Sequence, residues 1–114
     1  MQRMWLVRTT FADGSLAAEL ARDLAESGLA ACVHVQEVTS TYMWEGEACE
    51  ETEWLLEART TGDVVEETRR YLRKAHPYQL PCIEAWMVEG SEEYAAWAVG
   101  VQREQKGKTL RPAG

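Results

Sequence analysis

The chain has 114 residues, 46% of them hydrophobic, and a formal net charge of −7 from 12 basic and 19 acidic residues. A chain of this length can form one hydrophobic core without disulfide bonds or a structural metal. Its acidic balance argues against a nucleic-acid partner, because phosphate binding depends on clustered lysine and arginine side chains.

The sequence also indicates a cellular compartment. No apolar run approaches the roughly 20 residues that cross a membrane, and the start MQRMWLVRTT lacks the apolar stretch of a signal peptide. The three cysteines, Cys32, Cys49 and Cys82, are an odd number without the spacing of a disulfide framework. We therefore expect a cytoplasmic protein with reduced thiols and no membrane partner.

The first part of the chain predicts a strand, a helix and a second strand. MWLVRT (4–9) is short, apolar and rich in β-forming residues. DGS (13–15) opens a helix with an apolar residue at every fourth position, and SG (27–28) ends it. From residue 29 to 44 the apolar residues alternate but change parity between residues 35 and 38. Such a change turns the faces of a strand over, so we expect a long, bent second strand with a β-bulge.

The middle of the chain predicts a hairpin and a second helix. EGE (45–47) reverses the chain, and the strand that follows alternates apolar and charged residues. In GDVVEE (62–67), we expect Asp63 to be the N-cap of the helix and Glu66 to complete a capping box. Glu66 is also expected to pair with Arg70 on the outer face. The predicted inward stripe of this helix is Val65, Thr68, Leu72 and Ala75.

The last part of the chain predicts one more strand and one more helix. Pro77 disfavours helical geometry at the residue before it, so the second helix should end near residue 75. CIEAWMV (82–88) is apolar on both faces, which predicts a strand covered on both sides. Ser91 is expected to cap the third helix, with Tyr94, Trp97, Ala98 and Val101 inward. We expect a single domain over residues 1–104 and a flexible tail over 105–114.

The order of these elements predicts the fold. A β-α-β-β-α-β sequence followed by one helix matches the ferredoxin-like split β-α-β unit, a four-stranded antiparallel sheet with helices on one face. The apolar surface around Trp44 and Trp86 exceeds what one layer of helices can bury. A homo-oligomer is the simplest cover for the other face of the sheet.

Several motifs, in order and near-correct spacing, resemble one known family. LAACV (29–33), TSTYMWEGE (39–47), ETEWLL (51–56), HPYQLP (76–81) and EGSEEYAAW (89–97) are similar to segments of the CutA divalent-cation tolerance proteins. The resemblance implies a tight homotrimer in which the long hairpin joins neighbouring sheets. It also implies a role in tolerance to copper and other divalent metals, and a fold similar to that of the P-II signalling proteins.

The resemblance also suggests metal ligands. Cys32 and His76 match the cysteine and histidine of the family, and sulfur and imidazole suit copper. Each has a structural alternative, as a small buried strand residue and as a locally bonded histidine at a helix end. Cys82 departs from the family, which generally has glutamate there. Because the chain has no C-x-x-C or H-x-x-x-H pair, a metal site would have to be assembled in three dimensions.

Three aromatic residues are candidates for binding a small ligand. Tyr42, Trp44 and Tyr78 could frame a pocket or contact between subunits. For Trp44 the alternative is packing across the sheet. Tyr78 lies between two prolines, in a loop that could point its hydroxyl into a cleft.

We therefore expect a non-catalytic trimer that binds copper, another divalent cation or a small ligand at clefts between subunits. One alternative is a P-II-like signalling subunit, although the chain lacks a glycine-rich phosphate loop. The other is a thiol enzyme that uses Cys32 or Cys82 as nucleophile and His76 as base.

Overall fold

The computed structural model describes the backbone of residues 2–110 and the side chains of residues 2–108. Its elements, in chain order, are β1 (Gln2–Phe11), α1 (Gly14–Glu26), β2 (Cys32–Trp44), β3 (Glu47–Thr60), α2 (Val65–Ala75), β4 (Ile83–Gly90) and α3 (Glu92–Leu110). Among these described residues, no helix is both long enough and apolar enough to cross a membrane.

The four strands form one antiparallel sheet in the order β2-β3-β1-β4. This arrangement confirms the predicted ferredoxin-like α+β fold. Helices α1 and α2 pack on one face, over a core whose fully buried members include Val7, Phe11, Leu24, Leu56 and Leu72. Helix α3 begins against the opposite face, where Ala95 and Ala98 pack on Met4. Most of that second face is therefore covered by no helix of the described chain.

Strand β2 is regular, and the predicted β-bulge is wrong. It pairs with β3 in one continuous register from its first residue to its last. Val33 and Val35 pack against the core beneath the helices, but the next residues on that face, from Glu37 to Thr41, are exposed. The helix layer thus ends there, and Val38 lies on the other face of the sheet. The parity change reflects which face is covered, not a distortion of the backbone.

The ends of α1 agree with the prediction. Asp13 is the N-cap, and its carboxylate accepts hydrogen bonds from the backbone N–H groups of Ser15 at 2.8 Å and Leu16 at 3.4 Å. Such a cap satisfies donors that have no partner within the helix. At the other end Gly28 takes a positive φ of 76°, which closes the helix in the left-handed conformation.

The start of α2 differs from the prediction. The N-cap is Val64, which makes no side-chain cap, and the N–H groups of Val64 and Val65 donate to the Thr61 carbonyl at 3.1 and 3.0 Å. Asp63 instead accepts a hydrogen bond from the Thr61 side chain, which lowers the pKa of its carboxyl group. A backbone turn therefore replaces the expected capping box. Glu66 pairs with Arg69 at 2.9 Å rather than with Arg70.

Helix α3 buries a different stripe from the one predicted. Ala95, Ala98 and Gln102 are its buried residues, whereas Trp97 is 50% exposed. The predicted inward position of Trp97 is therefore wrong for the single chain. The helix continues to Leu110, into the segment 105–114 that we predicted as a tail, and residues 111–114 lie outside the described part of the chain.

Candidate functional site

The His76–Pro81 segment folds around the end of β1. His76 is buried, with 7% of its surface exposed, and its ring stacks on Phe11 with 4.4 Å between centroids. Its Nδ1 accepts the backbone N–H of Tyr78 at 3.2 Å, so the ring proton lies on Nε2, which donates to the Thr10 carbonyl at 2.9 Å. Both ring nitrogens are thus engaged within the chain.

The surroundings of His76 favour the neutral imidazole. Burial lowers the pKa of His76, and the nearby Arg73 lowers it further. The hydrogen bond to Thr10 and the charge of Glu53 act in the opposite direction but do not outweigh burial. A neutral ring with one donor and one acceptor matches the two partners that it has.

Tyr78 connects this loop to a buried carboxylate. Its hydroxyl donates to Glu53 Oε2 at 2.6 Å, and Glu53 is only 6% exposed. Burial raises the pKa of Glu53, but hydrogen bonds from Tyr78, Ser40 and Thr10 outweigh it, so the pKa is lowered overall. Burial and the bond to Glu53 raise the pKa of Tyr78. The pair is therefore a protonated phenol bonded to an ionised carboxylate.

A second polar cluster lies at the other end of the same sheet face. Cys32 and His34 point the same way from β2, and Cys32 Sγ is 3.7 Å from His34 Nε2. Arg59, opposite Cys32 in the register, donates from Nη1 to His34 Nδ1 at 2.8 Å. His34 is a site residue that our sequence analysis missed. The signal was present, because a C-x-H spacing on a strand puts both side chains on one face.

Cys32 and His76, the two predicted metal ligands, are not brought together. Cys32 lies opposite Arg59, which pairs with Leu6 of β1, whereas His76 bonds Thr10, about 13 Å further along that strand. Within the described residues no group of three or more histidine, cysteine, aspartate or glutamate side chains could hold a metal ion. In one chain these two residues therefore do not fit a shared metal.

The predicted aromatic residues lie on the hairpin and in the loop. Tyr42 and Trp44 are 39% and 47% exposed and share the sheet face that carries Glu53, the partner of Tyr78. One chain thus supplies these side chains but leaves two of them open to solvent. A pocket framed by them would need a further surface to close it.

Cys82 is poorly suited to be a nucleophile. Burial raises the pKa of its thiol, and the neighbouring Glu84 raises it further. Because the thiolate is the reactive form, a raised pKa lowers the reactivity of this cysteine at neutral pH. Cys82 lies just before β4, and the hydrogen bonds of the His76 ring go to Thr10 and Tyr78.

The fold and these polar clusters define a small ferredoxin-like α+β protein with its site residues on an open sheet face. The family model of the CutA1 divalent ion tolerance protein matches residues 5–100. The chain therefore belongs to the CutA1 divalent ion tolerance family.

Named relatives and solved structures agree with this family. The divalent-cation tolerance protein CutA of Thermotoga maritima is 39% identical over 95 residues, which are 82% of this chain and 94% of the relative. That of Thermus thermophilus is 37% identical over 94 residues, 81% of this chain and 91% of the relative. The structure of CutA from Synechococcus elongatus PCC7942 superposes with a TM-score of 0.84 at 30% identity, covering 90% of this chain and 92% of the other.

Proposed function

We propose that this CutA-family protein is a cytoplasmic homotrimer that binds copper, another divalent cation or a small ligand in clefts between its subunits, and that it catalyses no reaction. The family and its relatives are named for divalent-cation tolerance. Their names supply the metal part of this proposal. The assembly part is supported by the surface of the chain itself.

The observation that carries the proposal is the uncovered part of the β2-β3 hairpin. Tyr42, Met43 and Trp44 are 39%, 67% and 47% exposed at consecutive positions, so apolar side chains stand on both faces of the hairpin. A two-stranded hairpin without cover is only marginally stable in water. Contiguous exposed apolar surface of this kind marks an interaction site, and a second copy of the chain offers the same surface in return.

A subunit placed there would also complete the candidate ligand pocket. Tyr42 and Trp44 lie on the face that carries the Tyr78–Glu53 pair. Covering that face would exclude water from a hydroxyl, a carboxylate and two aromatic rings. Pockets that combine apolar walls with a few fixed polar groups are typical of small-ligand sites.

Native mass spectrometry of the reduced protein, with and without one equivalent of copper per chain, tests both parts of the proposal. We expect three chains of 12.9 kDa each in one particle, with discrete copper adducts. A trimer without adducts would overturn the copper part and keep the assembly. A monomer would overturn the assembly.

Two tryptophans provide a matched pair of variants for the assembly. Trp44 on the hairpin and Trp97 on α3 are 47% and 50% exposed. We expect Trp44→Ser to shift the trimer toward monomer and Trp97→Ser to leave the trimer intact, because only the first removes apolar surface from the hairpin. Equal effects of the two changes would show that the hairpin is not the contact.

A further inference from the structure

The Cys32–His34–Arg59 cluster has metal-binding chemistry that the predicted Cys32–His76 pair lacks. A metal bonded to sulfur at about 2.3 Å and to imidazole nitrogen at about 2.0 Å joins ligand atoms up to about 4.3 Å apart. The 3.7 Å between Cys32 Sγ and His34 Nε2 falls within that limit. In the single chain Cys32 is half-buried and His34 is exposed, so neither ligand atom is enclosed in the core.

The two ligand types select the kind of ion. A cysteine sulfur is a soft ligand that favours Cu(I), and imidazole binds the same ion. Two donors suit Cu(I), which accepts low coordination numbers, better than a hard cation that needs six oxygens.

Arg59 controls which nitrogen of His34 carries the proton. A guanidinium group only donates hydrogen bonds, so His34 Nδ1, which faces it at 2.8 Å, must accept. The proton of the neutral ring then lies on Nε2, the nitrogen that faces Cys32. In this tautomer His34 has no lone pair to give to an ion beside the sulfur. Metal-binding histidines normally have an acceptor at their other nitrogen, the reverse of this arrangement.

We propose that Cys32 and His34 form a Cu(I) site on the open sheet face and that Arg59 weakens it by holding His34 in the non-binding tautomer. Binding forms one Cu–S and one Cu–N bond. The thiol proton leaves to solvent, the imidazole proton moves from Nε2 to Nδ1, and the Arg59 hydrogen bond is released. Copper stays Cu(I) throughout. This inference rests on the copper part of the proposed function and names the site for it.

A competition titration with a coloured Cu(I) chelator, under ascorbate, tests the site in the full chain. The parent is the Cys49→Ser/Cys82→Ser protein, which leaves Cys32 as its only cysteine. The decisive change is Arg59→Gln, because a glutamine oxygen can accept from Nδ1–H and so favours the binding tautomer. Arg59→Met removes the charge but supplies no acceptor, which separates the two effects.

We expect Arg59→Gln to bind Cu(I) about tenfold more tightly than the parent, with Arg59→Met between them. His34→Ala is expected to weaken binding at least about tenfold, and His76→Gln to leave it unchanged. Circular dichroism of each variant checks that it is folded.

Three results would overturn the inference. If Arg59→Gln binds Cu(I) as weakly as the parent or more weakly, the role of Arg59 in holding the tautomer is contradicted. Loss of binding in His76→Gln but not in His34→Ala would move the site to His76 and keep the copper part of the proposed function. No binding in either the parent or Arg59→Gln would overturn both, while the mass of the particle still decides whether the trimer exists.

Discussion

Replacing Gly28 with alanine is expected to lower the free energy of unfolding by about 3 kcal/mol. Gly28 has a φ of 76°, where an added Cβ costs about 1 to 2 kcal/mol. That Cβ would also lie 2.5 Å from the Gln102 carbonyl oxygen and 2.8 Å from the Lys106 nitrogen, both backbone atoms of α3. The helix would have to move, which strains the hydrogen bond from Gln102 Nε2 to the Gly28 carbonyl at 3.1 Å. Overpacking of this kind typically costs a further 1 to 3 kcal/mol, roughly.

Gly46 is the matched control for this change. It has a φ of 81°, but, apart from Gly46 and its two chain neighbours, no atom of the described residues lies within 4 Å of the position of its Cβ. Gly46→Ala should therefore cost only the backbone strain, about 1 to 2 kcal/mol. Urea unfolding of both variants at one protein concentration measures the two costs. Equal losses of stability in the two variants would show that the close approach of α3 to Gly28 adds nothing to the cost of Gly28→Ala.

The order of the elements could be predicted from the sequence because each element has a local signal. The leucine stripe of α1, its Asp13 cap and its Gly28 stop all involve residues within a few positions of one another. The ferredoxin-like topology followed from that order. These predictions needed no information on which distant segments meet.

The errors in the fold arose where distant segments decide the outcome. The apolar positions of β2 change parity because the helix layer ends partway along the strand. The sequence of β2 alone does not show where that layer ends. Trp97 was expected inward because it is apolar at a helical spacing, but the face of α3 that meets Met4 carries two alanines instead. At α2, the Thr61 carbonyl took the place of the Asp63 side chain as the cap.

The candidate site was predictable only in part for the same reason. The sequence singled out His76 from its match to the family histidine and its place at a helix end, and Tyr78 from its position between two prolines. Their partners, Thr10 and Glu53, lie 66 and 25 positions away and were not foreseen. The proximity of His34 to Cys32 follows from strand geometry alone and could have been read from the sequence.

Tyr78→Phe is expected to lower the free energy of unfolding at pH 7 by about 2 kcal/mol, because the change removes a hydrogen bond to a buried, charged group. Glu53 is only 6% exposed, and the Tyr78 hydroxyl donates to it at 2.6 Å. Tyr71→Phe is the control. Its hydroxyl donates to Asp23 over a longer 3.2 Å in a partly exposed site, so we expect a loss of about 0.5 kcal/mol.

The cost of Tyr78→Phe should also depend on pH in a way that identifies the partner. Folding lowers the pKa of Glu53, so the stability that this carboxylate contributes is fully present above the ordinary carboxyl pKa of about 4.3. That stability is lost as the pH falls through the lowered pKa of the folded protein. Folding raises the pKa of Tyr78, so that contribution is lost as the pH rises above the ordinary phenol value of about 10. The difference in stability between the wild type and Tyr78→Phe should therefore be largest from about pH 5 to 9. Urea unfolding across pH 3 to 10 measures it, and a difference that does not shrink in acid would mean that Glu53 is not the group that Tyr78 stabilises.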